Sequence, residues 1–92
     1  MISIEHVNTK PKGYFKALEN VVEAGRMTYT MAGEKLIIDH TEVNPDFKGR
    51  NVGKLLLMEL VNFVRENNIK VVPLCPFAKA MFEKTPEIQD VL

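Results

Sequence analysis

Hydrophobic and polar positions alternate along much of the first half of the chain, which is the pattern of strands with one buried face. The clearest stretch is Arg26–Met31, in which apolar residues alternate with threonines. A turn at Ala32–Glu34 separates it from Lys35–Val43, which is rich in branched residues, so we expect the two strands to form an antiparallel hairpin. Shorter strands are predicted upstream at Ile2–Val7 and Tyr14–Leu18, on either side of a polar loop.

The apolar spacing becomes helical after Asn44–Asp46, where a proline ends the last of these strands. It predicts a long helix over Val52–Asn67, followed by a short strand at Ile69–Pro73. A second helix is predicted at Pro76–Lys84, with Cys75 as its N-cap, because proline suits the first helical position. A strand–helix–strand crossover normally makes the two strands that it joins parallel neighbours.

These elements predict an α+β fold, a mixed and mostly antiparallel sheet with helices packed on it. The 92 residues are enough for a single domain, and 46% hydrophobic with 26% charged residues is typical of globular proteins. Twelve basic residues balance twelve acidic ones, which argues against a nucleic-acid partner. One cysteine, no signal peptide and no membrane-length apolar run favour a cytoplasmic protein without a membrane partner.

A loop with glycines and basic residues lies just before the long helix. The first N–H groups of a helix have no intrahelical acceptor, and the helix dipole favours negative charge beside them. Gly49 and Gly53 would let the backbone approach a ligand closely, and Lys48, Arg50 and Lys54 add positive charge. The loop is therefore a candidate cradle for a pyrophosphate group, and the alternative is a plain loop whose lysines are solvated.

The segment VNPDFKGRNVGKLL, which begins at Val43, resembles the motif A region of the GCN5-related N-acetyltransferases. In that motif Gln/Arg-x-x-Gly-x-Gly/Ala joins a strand to a helix. Lys48 falls at the Gln/Arg position, Asn51 at the first glycine and Gly53 at the Gly/Ala position. Asparagine is a suitable substitute for glycine where the backbone needs a positive φ.

A second pair of segments, HTEV beginning at His40 and VVPLCPF ending at Phe77, resembles a subgroup of small members of this superfamily. Those members lack the N-terminal strands and helices that usually close over the acceptor. The resemblance implies the fold of the GCN5-related N-acetyltransferases (a GNAT-like fold), in which the parallel strand pair lies around bound acetyl-CoA. It implies that the cofactor-binding residues are Val43, Lys48, Gly49, Arg50, Asn51, Val52, Gly53, Lys54, Pro76, Phe77 and Phe82.

The activity that the resemblance implies is acetyl transfer from acetyl-CoA to an amine, whose identity the sequence does not give. The acceptor could be a small molecule or an amine of a protein. A protein that binds CoA or acetyl-CoA without turnover is the alternative, and a small interaction protein that borrows the fold is a third interpretation. Many members use a tyrosine on the last helix as general acid, whereas that region here carries Phe77 and Phe82, which cannot donate a proton.

Cys75, His40 and Glu42 are the candidate catalytic residues. The positive end of a helix dipole stabilises a thiolate at the position of Cys75, although cysteine is also a common buried hydrophobic residue. His40 and Glu42 share one face of a strand, and either could take a proton from an ammonium group. Two routes stay open, direct transfer and transfer through acetyl-Cys75.

The other histidine, His6, has no such context and is expected at the surface. The two histidines and the cysteine lie far apart in sequence and show no ligand spacing, so no metal site is predicted.

Overall fold

The fold, given by a computed structural model that describes residues 1–92, is one five-stranded sheet with two helices. The strands lie side by side in chain order; the first four are antiparallel and the fifth joins the fourth in parallel. This confirms the mixed, mostly antiparallel sheet and its parallel pair. The elements are β1 (Ile2–Thr9), β2 (Lys12–Glu19), β3 (Val22–Ala32), β4 (Lys35–Val43), α1 (Val52–Glu66), β5 (Lys70–Pro73) and α2 (Pro76–Lys84), with short 3-10 helices at Pro45–Phe47 and Pro86–Val91.

The first three strands are longer than the sequence pattern indicated. The expected loop at 8–13 is wrong, because β1 and β2 pair through Asn8 and Gly13 and turn only at Lys10 and Pro11. The polar residues that suggested a loop are strand residues exposed to solvent. The two upstream strands predicted from the sequence are present as β1 and β2, and no helix precedes residue 45.

Both helices pack on the same face of the sheet. The inward positions of the strands are fully buried there, and α1 contributes a wide apolar face, as the helical spacing predicted. The largest fully buried side chains are Phe15, Met27, Tyr29, Leu36, Ile38, Val52, Leu56, Leu57, Leu60, Val61 and Val64.

The opposite face of the sheet carries no helix and is called the open face. Its side chains are the alternate strand residues, which are half-buried or exposed: among them Tyr14, Lys16, Arg26, Thr28, His40 and Glu42. Each row of this face follows the strand register, so that Tyr14, Thr28 and His40 lie side by side across three strands. The open face is therefore a polar surface supported by a buried core.

His6 lies at the surface, as expected from the sequence, and its ring makes several contacts there. Although exposed, its ring stacks on Phe15 with centroids 4.0 Å apart and meets the edge of Phe63 at 4.5 Å. Its Nε2 lies 2.5 Å from the hydroxyl of Tyr29. This packing removes water from part of the ring, and the desolvation lowers the pKa of His6 below the ordinary value of 6.5.

A register shift in β4 determines where β4 and β5 separate. Thr28 pairs with His40 while Tyr29 pairs with Ile38, so that Asp39 is an extra residue in the β4 strand. Ile38 is also the last β4 residue that pairs with β5. Beyond it, the N–H groups of Leu74 and Cys75 both donate to the Ile38 carbonyl, at 3.1 and 3.2 Å. Residues 40–43 of β4 therefore continue without a neighbour on the β5 side.

Candidate functional site

A side-chain cap and two residues with left-handed φ values define the backbone of the loop between β4 and α1. The side chain of Asn44 accepts a hydrogen bond from the Asp46 N–H at 3.0 Å and caps the 3-10 helix. Gly49 and Asn51 then take left-handed φ values of 82° and 59°, which turn the chain into the first residue of α1. The positive φ of Asn51 is what its place in the motif predicted.

Five backbone N–H groups surround the start of α1 without an acceptor in the chain. They belong to Gly49, Asn51, Val52, Gly53 and Lys54. Asn51, the N-cap, makes no side-chain capping bond, and the first turn of α1 holds no acidic residue. Such a helix start, with its dipole, is complementary to an anion.

Two clefts lie on either side of this helix start and share Asn51 and Gly53. The first, of about 430 Å³, is lined by Val43, Asn44, Pro45, Phe47, Lys48, Gly49, Asn51, Val52 and Gly53. The second, of about 510 Å³, runs between α1 and α2 and is lined by Asn51, Gly53, Lys54, Met58, Phe77, Met81, Lys84, Thr85 and Glu87. The structure thus brings most of the sequence-predicted cofactor residues to one continuous surface.

Two glycines permit the close packing behind these clefts. A Cβ on Gly53 would lie 2.5 Å from Cζ of Phe77, so the phenyl ring occupies the space that a side chain would need. A Cβ on Gly25 would lie 2.8 Å from both the carbonyl oxygen of Glu42 and a methyl group of Val52. These contacts fix the first turn of α1 against α2 on one side and against the sheet on the other.

Arg50 does not contribute its side chain to either cleft. Its Nη1 donates to Glu19 at 3.1 Å in a two-pronged ion pair, and the guanidinium lies 5.2 Å from the centre of the Phe47 ring. The hydrogen bond from Arg50 lowers the pKa of Glu19, and Glu19 raises that of Arg50. Arg50 was expected to add positive charge to the cradle, but the Glu19 carboxylate of β2 neutralises its guanidinium in this structure.

Cys75 is the N-cap of α2, as predicted. Its sulfur accepts a hydrogen bond from the Ala78 N–H at 3.3 Å and lies 3.3 Å from the hydroxyl of Thr41. The side chain is only 4% exposed and lines neither cleft. Pro76 follows it at the first helical position.

His40 and Glu42 lie together on the open face, with His40 Nε2 at 3.0 Å from a Glu42 carboxylate oxygen. Both side chains are well exposed, at 63% and 76%. Thr41, between them, points to the helix face and reaches Cys75, so the three catalytic candidates lie on two faces of β4. Thr41 was not among the residues predicted from the sequence. The alternation of side chains along a strand would have placed it on the face opposite His40, which is the face toward Cys75.

Phe82 was expected at the cofactor but is 2% exposed within the core and lines neither cleft. Its helix faces the sheet at this position, where a phenyl ring is stabilised by burial rather than by a ligand. No tyrosine lies on α2; both tyrosines of the chain, Tyr14 and Tyr29, are on the sheet.

Neither helix combines the length and the hydropathy that a membrane-spanning helix requires. No three side chains among histidine, cysteine, aspartate and glutamate come together as a candidate metal site.

Comparison with known proteins gives a family match over residues 14–91, to the model described as GCN5-related N-acetyl-transferase. Among curated proteins no match is found. The solution structure of a GCN5-like protein from Staphylococcus aureus is similar with a TM-score of 0.71 and 36% identity, covering 95% of this chain and 85% of that one.

Two more distant structures share the fold. The ribosomal-protein-S18-alanine N-acetyltransferase of Escherichia coli has a TM-score of 0.77 at 14% identity, over 90% of this chain and 75% of its own. The PaiA N-acetyltransferase of Thermoplasma acidophilum, determined in complex with coenzyme A, has a TM-score of 0.67 at 14% identity, over 80% of this chain and 50% of its own.

Proposed function

The chain belongs to the GCN5-related N-acetyltransferase family, and from that premise we propose that it transfers the acetyl group of acetyl-CoA to an amine as a single domain. The observation that carries the proposal is the set of five unpaired N–H groups at the start of α1, flanked by Lys48 and Lys54. Together they supply donors and charge for a pyrophosphate.

The residues present fit CoA in two further respects. A Cβ on Gly49 would meet nothing within 4 Å, so this part of the loop is open to a ligand. Residues 40–43 of β4 leave one strand edge unpaired beyond β5, which suits the amides of an extended pantetheine arm. Val43 lines the first cleft and Phe77 the second, so the proposal includes both as cofactor contacts, with Pro76 beside Phe77. Phe82 is withdrawn.

Bound acetyl-CoA would supply the acetyl group as a thioester. The His40–Glu42 pair is the group available to take the proton of an incoming ammonium, because it is exposed on the open face and both side chains are within hydrogen-bond distance of each other. Cys75 and Thr41 would border the thioester from the helix face. We favour direct transfer, since the cysteine is buried and its sulfur already caps α2.

Isothermal titration calorimetry with CoA and acetyl-CoA tests the cofactor half of this proposal. We expect binding in the micromolar range, about 8 kcal/mol, and a lower affinity at higher salt. Absence of binding would overturn the proposal and leave the interpretation as an interaction protein.

The route is tested by mixing the protein rapidly with acetyl-CoA and an amine that it acetylates, quenching, and measuring the intact mass. Direct transfer predicts no acetyl adduct on Cys75 and continued turnover by a Cys75→Ala variant. An adduct that forms and decays at the rate of turnover would show the covalent route instead.

A CoA-binding protein without turnover is the second candidate, and the lack of a tyrosine on α2 favours it. A panel of amines assayed for CoA release separates the two functions. Tight binding of acetyl-CoA with release no faster than its hydrolysis in buffer would establish the sensor.

A further inference from the structure

A third cleft, of about 360 Å³, opens on the open face of the sheet, away from the two that flank α1. Thr9 and Lys12 border it from the paired ends of β1 and β2, and Tyr14, Thr28 and Asp39 border it from further along the strands. Nothing in the family motif or in the cofactor clefts accounts for it. Its volume suits a small molecule rather than a folded protein.

The two charged side chains of this cleft, Lys12 and Asp39, have no ion-pair partner, unlike other charged side chains on the open face. On the same face Lys16 is paired with Glu5, and Arg26 with Glu23. Lys12 has no ion pair and its side chain makes no hydrogen bond within the chain, and Asp39 accepts only from the hydroxyl of Thr30, at 2.6 Å. Lys12 and Asp39 are not paired with each other. One cleft thus offers an unpaired ammonium and a carboxylate with free acceptor capacity.

Asp39 also connects the cleft to the proposed reaction. It is the extra residue in β4, directly after Ile38, where β5 departs from β4. His40 follows it and pairs across the strands with Thr28, which lines the cleft. A ligand in the cleft would therefore contact Thr28, the cross-strand neighbour of His40, and Asp39, which adjoins the point where β4 and β5 separate.

We propose that this cleft binds the acceptor, and that the acceptor is a small zwitterionic primary amine of the amino-acid class. Asp39 would hold its ammonium group and Lys12 its carboxylate. The inference rests on the proposed acetyl transfer. After a proton passes from the ammonium to His40, the nitrogen lone pair forms the bond to the acetyl carbon. The carbon–sulfur bond then breaks and its electron pair leaves with the CoA sulfur. The nitrogen loses its second proton to water, the CoA thiolate takes one proton from solvent, and His40 releases its proton to solvent, so that one proton is released overall.

The test is an NMR titration of the ¹⁵N-labelled protein, loaded first with CoA and then given each of the twenty common amino acids. Amide shifts at Gly49 and Val52 report CoA, and those at Lys12, Thr28 and Asp39 report the acceptor cleft. We expect at least one amino acid to shift the second set with millimolar affinity, and its amide and its decarboxylated amine to bind about tenfold more weakly.

Two variants and two matched controls complete the test. Lys12→Met and Asp39→Asn are each expected to weaken that amino acid about tenfold while CoA binds as before. Lys79→Met on α2 and Glu66→Gln on α1, both exposed, are expected to change neither. The inference is overturned if no amino acid shifts the cleft amides, or if the amide and the amine bind as tightly as the amino acid. Failure of CoA to shift the loop amides overturns the proposed function instead.

Discussion

The phenyl ring of Phe77 lies against the bare Cα of Gly53, so that the first turn of α2 packs directly on the first turn of α1. The contact holds the N–H groups of the candidate cradle in place from behind. It also explains why the Gly/Ala position of the motif is glycine here, because even a methyl group would displace the ring.

Gly53→Ala is predicted to lower the free energy of unfolding by about 1–3 kcal/mol, since an added methyl group overpacks the contact with Phe77. CoA affinity should fall with it because the first turn of α1 shifts. Urea denaturation and calorimetry measure both effects. Phe77→Ala in the same chain is expected to recover part of the loss, and an additive double mutant would contradict the packing argument.

The lysines of the clefts and Arg50 are predicted to differ in their importance for CoA. Lys48→Met and Lys54→Met should each reduce CoA affinity about tenfold at low salt. Arg50→Met should reduce it less, because Glu19 already neutralises the guanidinium. Calorimetry at low and high salt tests the order, with Lys35→Met as the control distant from the clefts. A larger effect of Arg50→Met would mean that the guanidinium leaves Glu19 when the ligand binds.

Asn51 is predicted to tolerate glycine but not alanine. Its φ of 59° costs an alanine about 1–2 kcal/mol, whereas glycine adopts this conformation freely. Urea denaturation should therefore show a lower free energy of unfolding for Asn51→Ala and a value near wild type for Asn51→Gly. Equal destabilisation by both substitutions would show that the side chain, not the backbone, is what the position requires.

The stability of the fold is predicted to fall as the pH drops below the ordinary pKa of histidine. Burial lowers the pKa of His6, so in acid the unfolded chain binds a proton more readily than the folded one. Above that pKa the imidazole is neutral in both states and the effect vanishes. Thermal denaturation between about pH 7 and pH 5 should show a decline that His6→Gln reduces.

Ser3→Gln, on the same strand but on the open face, is the control for the pH effect and should leave the decline unchanged. A slope that His6→Gln does not alter would assign the acid sensitivity to other groups.

Local patterns predicted α1 and α2, because helices depend on neighbouring residues in the chain. The crossover rule predicted the parallel strand pair, and the motif resemblance predicted the αL backbone of Asn51. Local patterns are limited in reach. They could not reveal the ion pair of Arg50 with Glu19, whose partners lie 31 positions apart. The resemblance assigned Phe82 to the cofactor, whereas its helix buries it in the core. Side-chain partners across the sheet depend on register, which a β-bulge at Asp39 shifts without a clear local signal.

The loop before α1 is already held by its own backbone, with Lys48 N–H bonded to Pro45 and Arg50 N–H bonded to Phe47. A loop of this kind does not have to become ordered before a ligand enters. We expect CoA to associate in a single exponential phase whose rate rises linearly with concentration, without the plateau that a slow closing step imposes. Because the loop is preformed, we expect the encounter between CoA and the protein to set the rate of association.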